Sequence, residues 1–173
     1  MFSLSLSLSL SSAHCSTCRS SVPILYVDGV AACGQSKAIE RYLAREFGLM
    51  GEGELEAAQV DCVGEHVRDI KDKYAKAKAA GDADKWLAEE LSVQLGKLES
   101  VVAITSKAPG CAVGSKLSLA GLQIYMLCCD HFDAKETVAA AFKAQPKLQA
   151  IVDAVAGNEK IKAWQAARKV TPF

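Results

Sequence analysis

Val22-Pro23-Ile24-Leu25-Tyr26-Val27-Asp28-Gly29-Val30-Ala31-Ala32-Cys33-Gly34-Gln35-Ser36 is the stretch that decides how this chain folds. Ile24-Leu25-Tyr26-Val27 is a β-branched and aromatic run, the composition of a strand. Asp28-Gly29 is a strong two-residue hairpin signal. Val30-Ala31-Ala32-Cys33 supplies the return strand. Gly34-Gln35-Ser36 leads into a helix with Ser36 as its N-cap. Ile39, Tyr42, Leu43 and Phe47 mark the buried stripe of that helix, and Gly48 is a good C-terminal stop.

Downstream the pattern changes. Gly51-Glu52-Gly53 reads as a linker, and everything after it is helical. Leu55, Ala58, Cys62, His66, Ile70 and Tyr74 keep a spacing of three or four, which predicts one long helix over 54–79, broken by Gly81-Asp82. Leu87, Leu91, Leu95 (or Gln94), Leu98 and Val102 predict a second over 84–106, ended by the Pro109-Gly110 turn. Ser118 starts a third, apolar all round and therefore expected to be central and buried. Residues 134–144 form a fourth. Pro146 opens a fifth at its first turn, and Asn158 caps a last one carrying Ile161, Trp164 and Ala167. No internal repeat is present.

Upstream lies a foreign composition. Leu4, Leu6, Leu8 and Leu10 alternate with serine, and a Ser-rich stretch continues to Ser21. Four readings stay open. Strict alternation fits a half-exposed strand. A secretory signal lacks its basic start, and serines interrupt its apolar core. An organellar transit peptide fits the serines and the absence of acid before Asp28, but Arg19 is its only base. A translated CT-dinucleotide repeat also yields Leu-Ser-Leu-Ser, which would make the stretch an artefact of the gene model. Residues 1–21 are accordingly expected to be a disordered or artefactual leader. Within it, Cys15-Ser-Thr-Cys18 beside His14 is a C-x-x-C. It has no helical pattern to lower a thiol pKa and no second ligand pair for zinc, so neither a redox nor a metal role is assigned.

Composition excludes several classes. Half of the 173 residues are hydrophobic, enough for a sizeable core, but only 6% are aromatic, so Leu, Val, Ile and Ala must build it. Twenty basic and twenty acidic side chains cancel without long runs of one sign, which argues against nucleic acid and an anionic membrane as partners. No apolar stretch approaches the roughly 18 residues of a membrane span. Seven cysteines, an odd number without regular spacing, point to free thiols in a reducing compartment and thus to the cytoplasm. Adjacent Cys128 and Cys129 are read as packing residues.

A β-hairpin, then Gln-Ser, a helix, a linker and an all-helical domain resembles the glutathione S-transferases. Val22-Pro23-Ile24-Leu25-Tyr26-Val27-Asp28-Gly29 looks like that family's strand after a cis-proline. Gln35-Ser36-Lys37-Ala38-Ile39-Glu40-Arg41-Tyr42-Leu43-Ala44-Arg45-Glu46-Phe47-Gly48-Leu49 looks like its glutathione-binding turn and third helix. Gln59-Val60-Asp61 resembles the sigma class, which includes glutathione-dependent prostaglandin isomerases. The resemblance covers residues 22–173. It implies a mostly α fold, with a partial thioredoxin-like ββα glutathione-binding domain over 22–50 and an all-helical C-terminal domain over 54–173. It also implies a homodimer and a small-molecule electrophile as the second substrate, with glutathione as co-substrate and no metal.

Two departures accompany it. The family has a strand, a helix and a second strand before the proline, carrying the tyrosine that hydrogen-bonds the glutathione sulfur. Residues 1–21 contain no counterpart, so the chain reads as N-terminally truncated, with one sheet edge left open. Tyr26, Tyr42, Tyr74 and Tyr125 fall on the strand and on helices at structural positions, so no catalytic residue is assigned and activity is expected to be impaired. Second, the helix opened by Ser118 has Gly121 where the family usually places the Asp of a capping box, although Leu117 and Leu122 can still form the hydrophobic staple. The loss should cost about 1 kcal/mol.

By the resemblance, a cis bond at Val22-Pro23 would present the Val22 backbone to the cysteinyl part of glutathione. Gln35 and Ser36, at a helix N-terminus, would hold the γ-glutamyl carboxylate. Asp69 would reach the γ-glutamyl amine across a two-fold dimer. The plainer readings stand beside these: a loop-to-strand junction, an ordinary cap, and one charge on a solvated face. His66 is read as a helix-interface residue. The alternative to an enzyme is a non-catalytic binding or dimerisation module, and a glutathione-dependent isomerase is a third reading.

Overall fold

A computed structural model describes residues 6–9 and 23–168, which fall into two compact units, residues 1–48 and 49–173. The first unit is a three-stranded antiparallel sheet with one helix. β1 (Leu6–Ser9), β2 (Ile24–Val27) and β3 (Val30–Gly34) lie in that order, followed by α1 (Ser36–Glu46). Asp28 and Gly29 have φ of 51° and 80°. Positive φ at both central residues is the type I′ geometry whose twist matches that of the flanking strands. One bulge interrupts the pairing between Leu25 and Tyr26. Ile24 and Leu25 are buried, as are Ile39 and Ala44 of α1. Along the leader, Leu6–Ser9 pairs residue for residue with β2 (Leu6↔Val27, Ser7↔Tyr26, Leu8↔Leu25, Ser9↔Ile24). Val22 and Cys15-Ser-Thr-Cys18 lie outside the described residues.

Two expectations for α1 are corrected. Its N-cap is Gln35, not Ser36, and no side chain caps the helix. Phe47 is 65% exposed and does not extend the buried stripe. It sits beyond the last helical residue, at φ −99° and ψ 11°, where the helical repeat no longer applies. Gly48 follows at φ 67°, the left-handed conformation of a glycine stop.

The second unit is helical throughout. α2 (Gly53–Ala80) ends at Gly81, whose φ of 80° suits a residue without Cβ. The single helix expected over 84–106 is instead two, α3 (Ala83–Glu89) and α4 (Leu91–Thr105). The backbone ladder runs through the junction: Glu90 N–H donates to the Trp86 carbonyl at 2.8 Å and Gln94 N–H to the Glu90 carbonyl at 3.0 Å. The interruption is therefore a bend at Glu90, not a loop. α5 (Leu119–Met126) packs on both α2 and α7, the central place its all-round apolar sequence demands. It passes into a π-helical turn, Leu127–His131, and then α6 (Lys135–Lys143), α7 (Pro146–Ala156) and α8 (Glu159–Ala167).

Small residues set the closest approaches. Gly64 of α2 lies where a Cβ would stand 2.7 Å from Gln123 Oε1 of α5. Leu91, Leu95, Leu98, Val102, Ile124, Leu127, Leu148 and Val155 are fully buried, the aliphatic core that the low aromatic content requires. Three aromatics and a histidine form a cluster, Tyr74, Trp86, Phe132 and His131, with Tyr74 and Phe132 edge to face at 4.8 Å. α8 starts as expected, with Asn158 Oδ1 accepting from the Lys160 and Ile161 N–H groups at 3.0 and 3.4 Å. It buries no residue, and Trp164 is exposed.

Candidate functional site

Pairing of Ile24 with Gly34 brings Pro23, just before β2, and Gln35, just after β3, to the same end of the hairpin. Gln35 there has φ 70° and ψ 114°. A residue with a Cβ is strained in that region by about 1–3 kcal/mol, and such strain collects at ligand-binding positions. The Gln35 carbonyl accepts from both the Ala38 and Ile39 N–H groups, at 3.0 and 3.1 Å. The first N–H groups of α1 have no acceptor within the helix, and they point toward the end that favours an anion. Ser36 is exposed and its hydroxyl makes no cap bond, so it can serve a ligand. The nearby cation, Lys37, is paired with Glu40 at 2.7 Å.

Asp69 belongs to the other unit. It is exposed on α2, following Arg68, which pairs with Glu65. His66, on the same helix, is half-buried.

The tyrosines of the helical unit are committed to structure. Tyr74 is buried and its hydroxyl donates to Asp133 Oδ2 at 3.3 Å; burial pushes its phenol above the ordinary value. The Tyr125 hydroxyl accepts from Gln165 Nε2 at 2.7 Å, and burial raises its phenol also. Tyr42 on α1 is raised by desolvation, then by Glu46 and Asp28. Two of the thiols are held protonated by burial. Burial pushes Cys128 up to about 12 and raises Cys111, so neither is a thiolate near neutral pH. Among the described residues no group of three or more His, Cys, Asp or Glu could hold a metal ion, and no helix is long and apolar enough to cross a membrane.

Glu56, on the first turn of α2, is a residue that the sequence did not single out. It is 8% exposed. Its carboxylate accepts from the Glu52 N–H at 2.8 Å and from Lys107 Nζ at 2.7 Å. Lys116 in turn pairs with Glu52 at 2.6 Å. A Cβ on Gly51 or Gly114 would come within 2.6 Å of the Glu56 side chain. The supposed linker is thus clasped to the loop after α4. Glycines at 51 and 114 were the available signal, but nothing local links them to one carboxylate.

A family model described as the glutathione S-transferase C-terminal domain matches residues 61–168. The chain is 32% identical over 160 residues to a Caenorhabditis elegans protein named probable glutathione S-transferase 7, covering 88% of this chain and 76% of the relative. It is similar in structure to a pi-class glutathione S-transferase of Onchocerca volvulus, with 28% identity, a TM-score of 0.72 and coverage of 85% and 70% of the two chains. The Necator americanus enzyme Na-GST-3, described as monomeric, matches with 27% identity and a TM-score of 0.72 over 88% and 76%. These matches agree with the expected architecture, a partial thioredoxin-like unit before an all-helical domain.

Proposed function

Because the chain belongs to the glutathione S-transferase family, we propose that it binds glutathione at the hairpin end and holds the γ-glutamyl carboxylate at the N-terminus of α1. The observation that carries this is the strained backbone of Gln35 directly before an uncapped, exposed Ser36. The Val22-Pro23 backbone pairs with the cysteinyl part, and Asp69 of a second copy in a homodimer meets the γ-glutamyl amine. The substrate class is a small electrophile, and the setting is cytoplasmic. Gln59-Val60-Asp61 supports a sigma-like class.

Conjugation by the 173-residue chain is slow in this reading. A free thiol has a pKa of about 8.5, so only a few per cent is thiolate at pH 7 unless a donor stabilises it. The Tyr74 and Tyr125 hydroxyls are engaged with Asp133 and Gln165, which supports the absence of such a donor from the helical unit. The other reading, a non-catalytic binding or dimerisation module, rests on the same lack.

Calorimetric titration with glutathione tests the site. The parent should bind, and Ser36→Ala and Gln35→Ala should each weaken binding about tenfold, roughly 1.4 kcal/mol. A parent that takes up no glutathione, or variants that match it, would end the proposal. Turnover of chlorodinitrobenzene separates the readings: slow conjugation marks an impaired enzyme, and none marks the module. Light scattering measures the assembly.

A further inference from the structure

β2 is the central strand, and its two neighbours are held very differently. β3 follows through a two-residue turn, whereas residues 10–23 separate β1 from β2. Yet β1 covers the other side of β2 from end to end, from Ser9↔Ile24 to Leu6↔Val27. Without that cover β2 would present an open row of N–H and C=O groups along Ile24-Leu25-Tyr26-Val27. This run has high β-propensity and no charge, proline or glycine, the composition of a segment that templates further strands. It would be self-complementary, because two copies can pair antiparallel about a two-fold axis.

We propose that Leu6–Ser9 is an edge guard, a strand that occupies the free side of β2 in cis and so denies it to β2 of a second copy of this chain. β1 is four residues long. A very short outer strand is one of the ways natural sheets blunt an edge, so the guard does not recreate the hazard it removes. A short pair closed by a long connection is also weak, so the edge opens transiently and the guard competes with intermolecular pairing. The inference does not depend on glutathione binding, since it concerns only the backbone on the β1 side of β2.

The test is the double variant Ser7→Pro/Leu8→Pro in the full chain. Successive N–H groups of a strand point to opposite sides, so two adjacent prolines remove a donor facing β2 whichever residue supplies it. Hydrogen exchange at the amides of Ile24–Val27 should accelerate tenfold or more in dilute solution. At higher concentration, light scattering should show assemblies the parent does not form, while the far-ultraviolet helical signal stays. A synthetic peptide of residues 3–10 added in trans should restore the parent's exchange rates and size distribution. A Ser7→Thr/Leu8→Val variant should behave as the parent. Unchanged exchange and size in the proline variant overturn the proposal. So does faster exchange without concentration-dependent assembly, and so does a loss of helical signal that the peptide fails to reverse.

Discussion

Lys107 Nζ lies 2.7 Å from Glu56 Oε1 although the two residues are 51 apart in sequence. The pair ties the first turn of α2 to the loop after α4. That loop is itself knitted by the Gly114 N–H bond to the Thr105 carbonyl and the Thr105 hydroxyl bond to the Ala112 carbonyl.

Gly114→Ala tests the clasp. The new methyl would meet Glu56 Oε2, and φ at Gly114 is 60°, so the variant suffers both a clash and left-handed strain of about 1–2 kcal/mol. In a Glu56→Ala background the clash is gone and only the strain remains. Urea unfolding of the two single variants and the double should therefore be non-additive, the double losing less than the sum. Additive losses would mean that Gly114 and Glu56 do not share the contact.

Stability should fall in two steps as the pH is lowered. Burial, then Lys71, holds His131 below the ordinary imidazole value, and its Nε2 is buried without a partner. The unfolded chain takes up this proton near pH 6.5 while the folded chain does not, so the first loss begins as the pH falls through about 6.5. The hydrogen bonds from Lys107 and Lys78 hold the Glu56 and Asp133 carboxyls below their ordinary range. Their contribution is complete above about pH 4 and is lost as the pH drops through the lowered values. Urea midpoints at pH 7.5 and 5.5 should differ for the parent and coincide for His131→Phe.

Gly121→Ala should stabilise the chain. A Cβ at this helical position would lie 3.7 Å from Ile151 and Leu117, ordinary contact distance. Alanine gains about 1 kcal/mol over glycine in a helix interior and less at the third residue of α5, so the melting midpoint should rise by at most about 2–4 °C. A lower midpoint would show that α5 and α7 cannot admit the methyl.

Glu99→Ala should loosen α7. The Glu99 carboxylate accepts from the Lys147 and Leu148 N–H groups, both at 2.9 Å, and so caps the helix that Pro146 opens. Its removal should cost about 1–2 kcal/mol and speed amide exchange at the start of α7 before that of α4. Equal exchange in parent and variant would contradict the capping role.

What the sequence discloses here is local. Asp28-Gly29 names its own turn, Gly81 its own helix stop, and Pro146 and Asn158 their own helix starts, because each acts through its own backbone or that of near neighbours. The aliphatic spacing of α4 is legible for the same reason, whereas on α2 Leu55, Ala58 and Cys62 of the expected stripe are exposed and the buried face runs instead through Val60, Val63, Val67, Ile70 and Tyr74. Glu56 is not legible, since its partners are Glu52 and Lys107 and only folding brings the second to it. The bend at Glu90 and the π-helical turn at Leu127–His131 preserve apolar periodicity well enough to escape notice. At the candidate site, Ser36 is the cap that composition favours; the structure makes Gln35 the N-cap, with a positive φ. Nothing in the local sequence signals that a residue with a Cβ takes this strained backbone.

The last helix buries no residue and is tied down by the Gln165–Tyr125 hydrogen bond and by an Arg168–Asp130 contact at 3.6 Å. Such a segment detaches at a small fraction of the free energy needed to unfold the whole chain. A protease should therefore trim the chain from about residue 159 onward and leave an otherwise intact protein, with Tyr125 newly wetted at the surface α8 had covered.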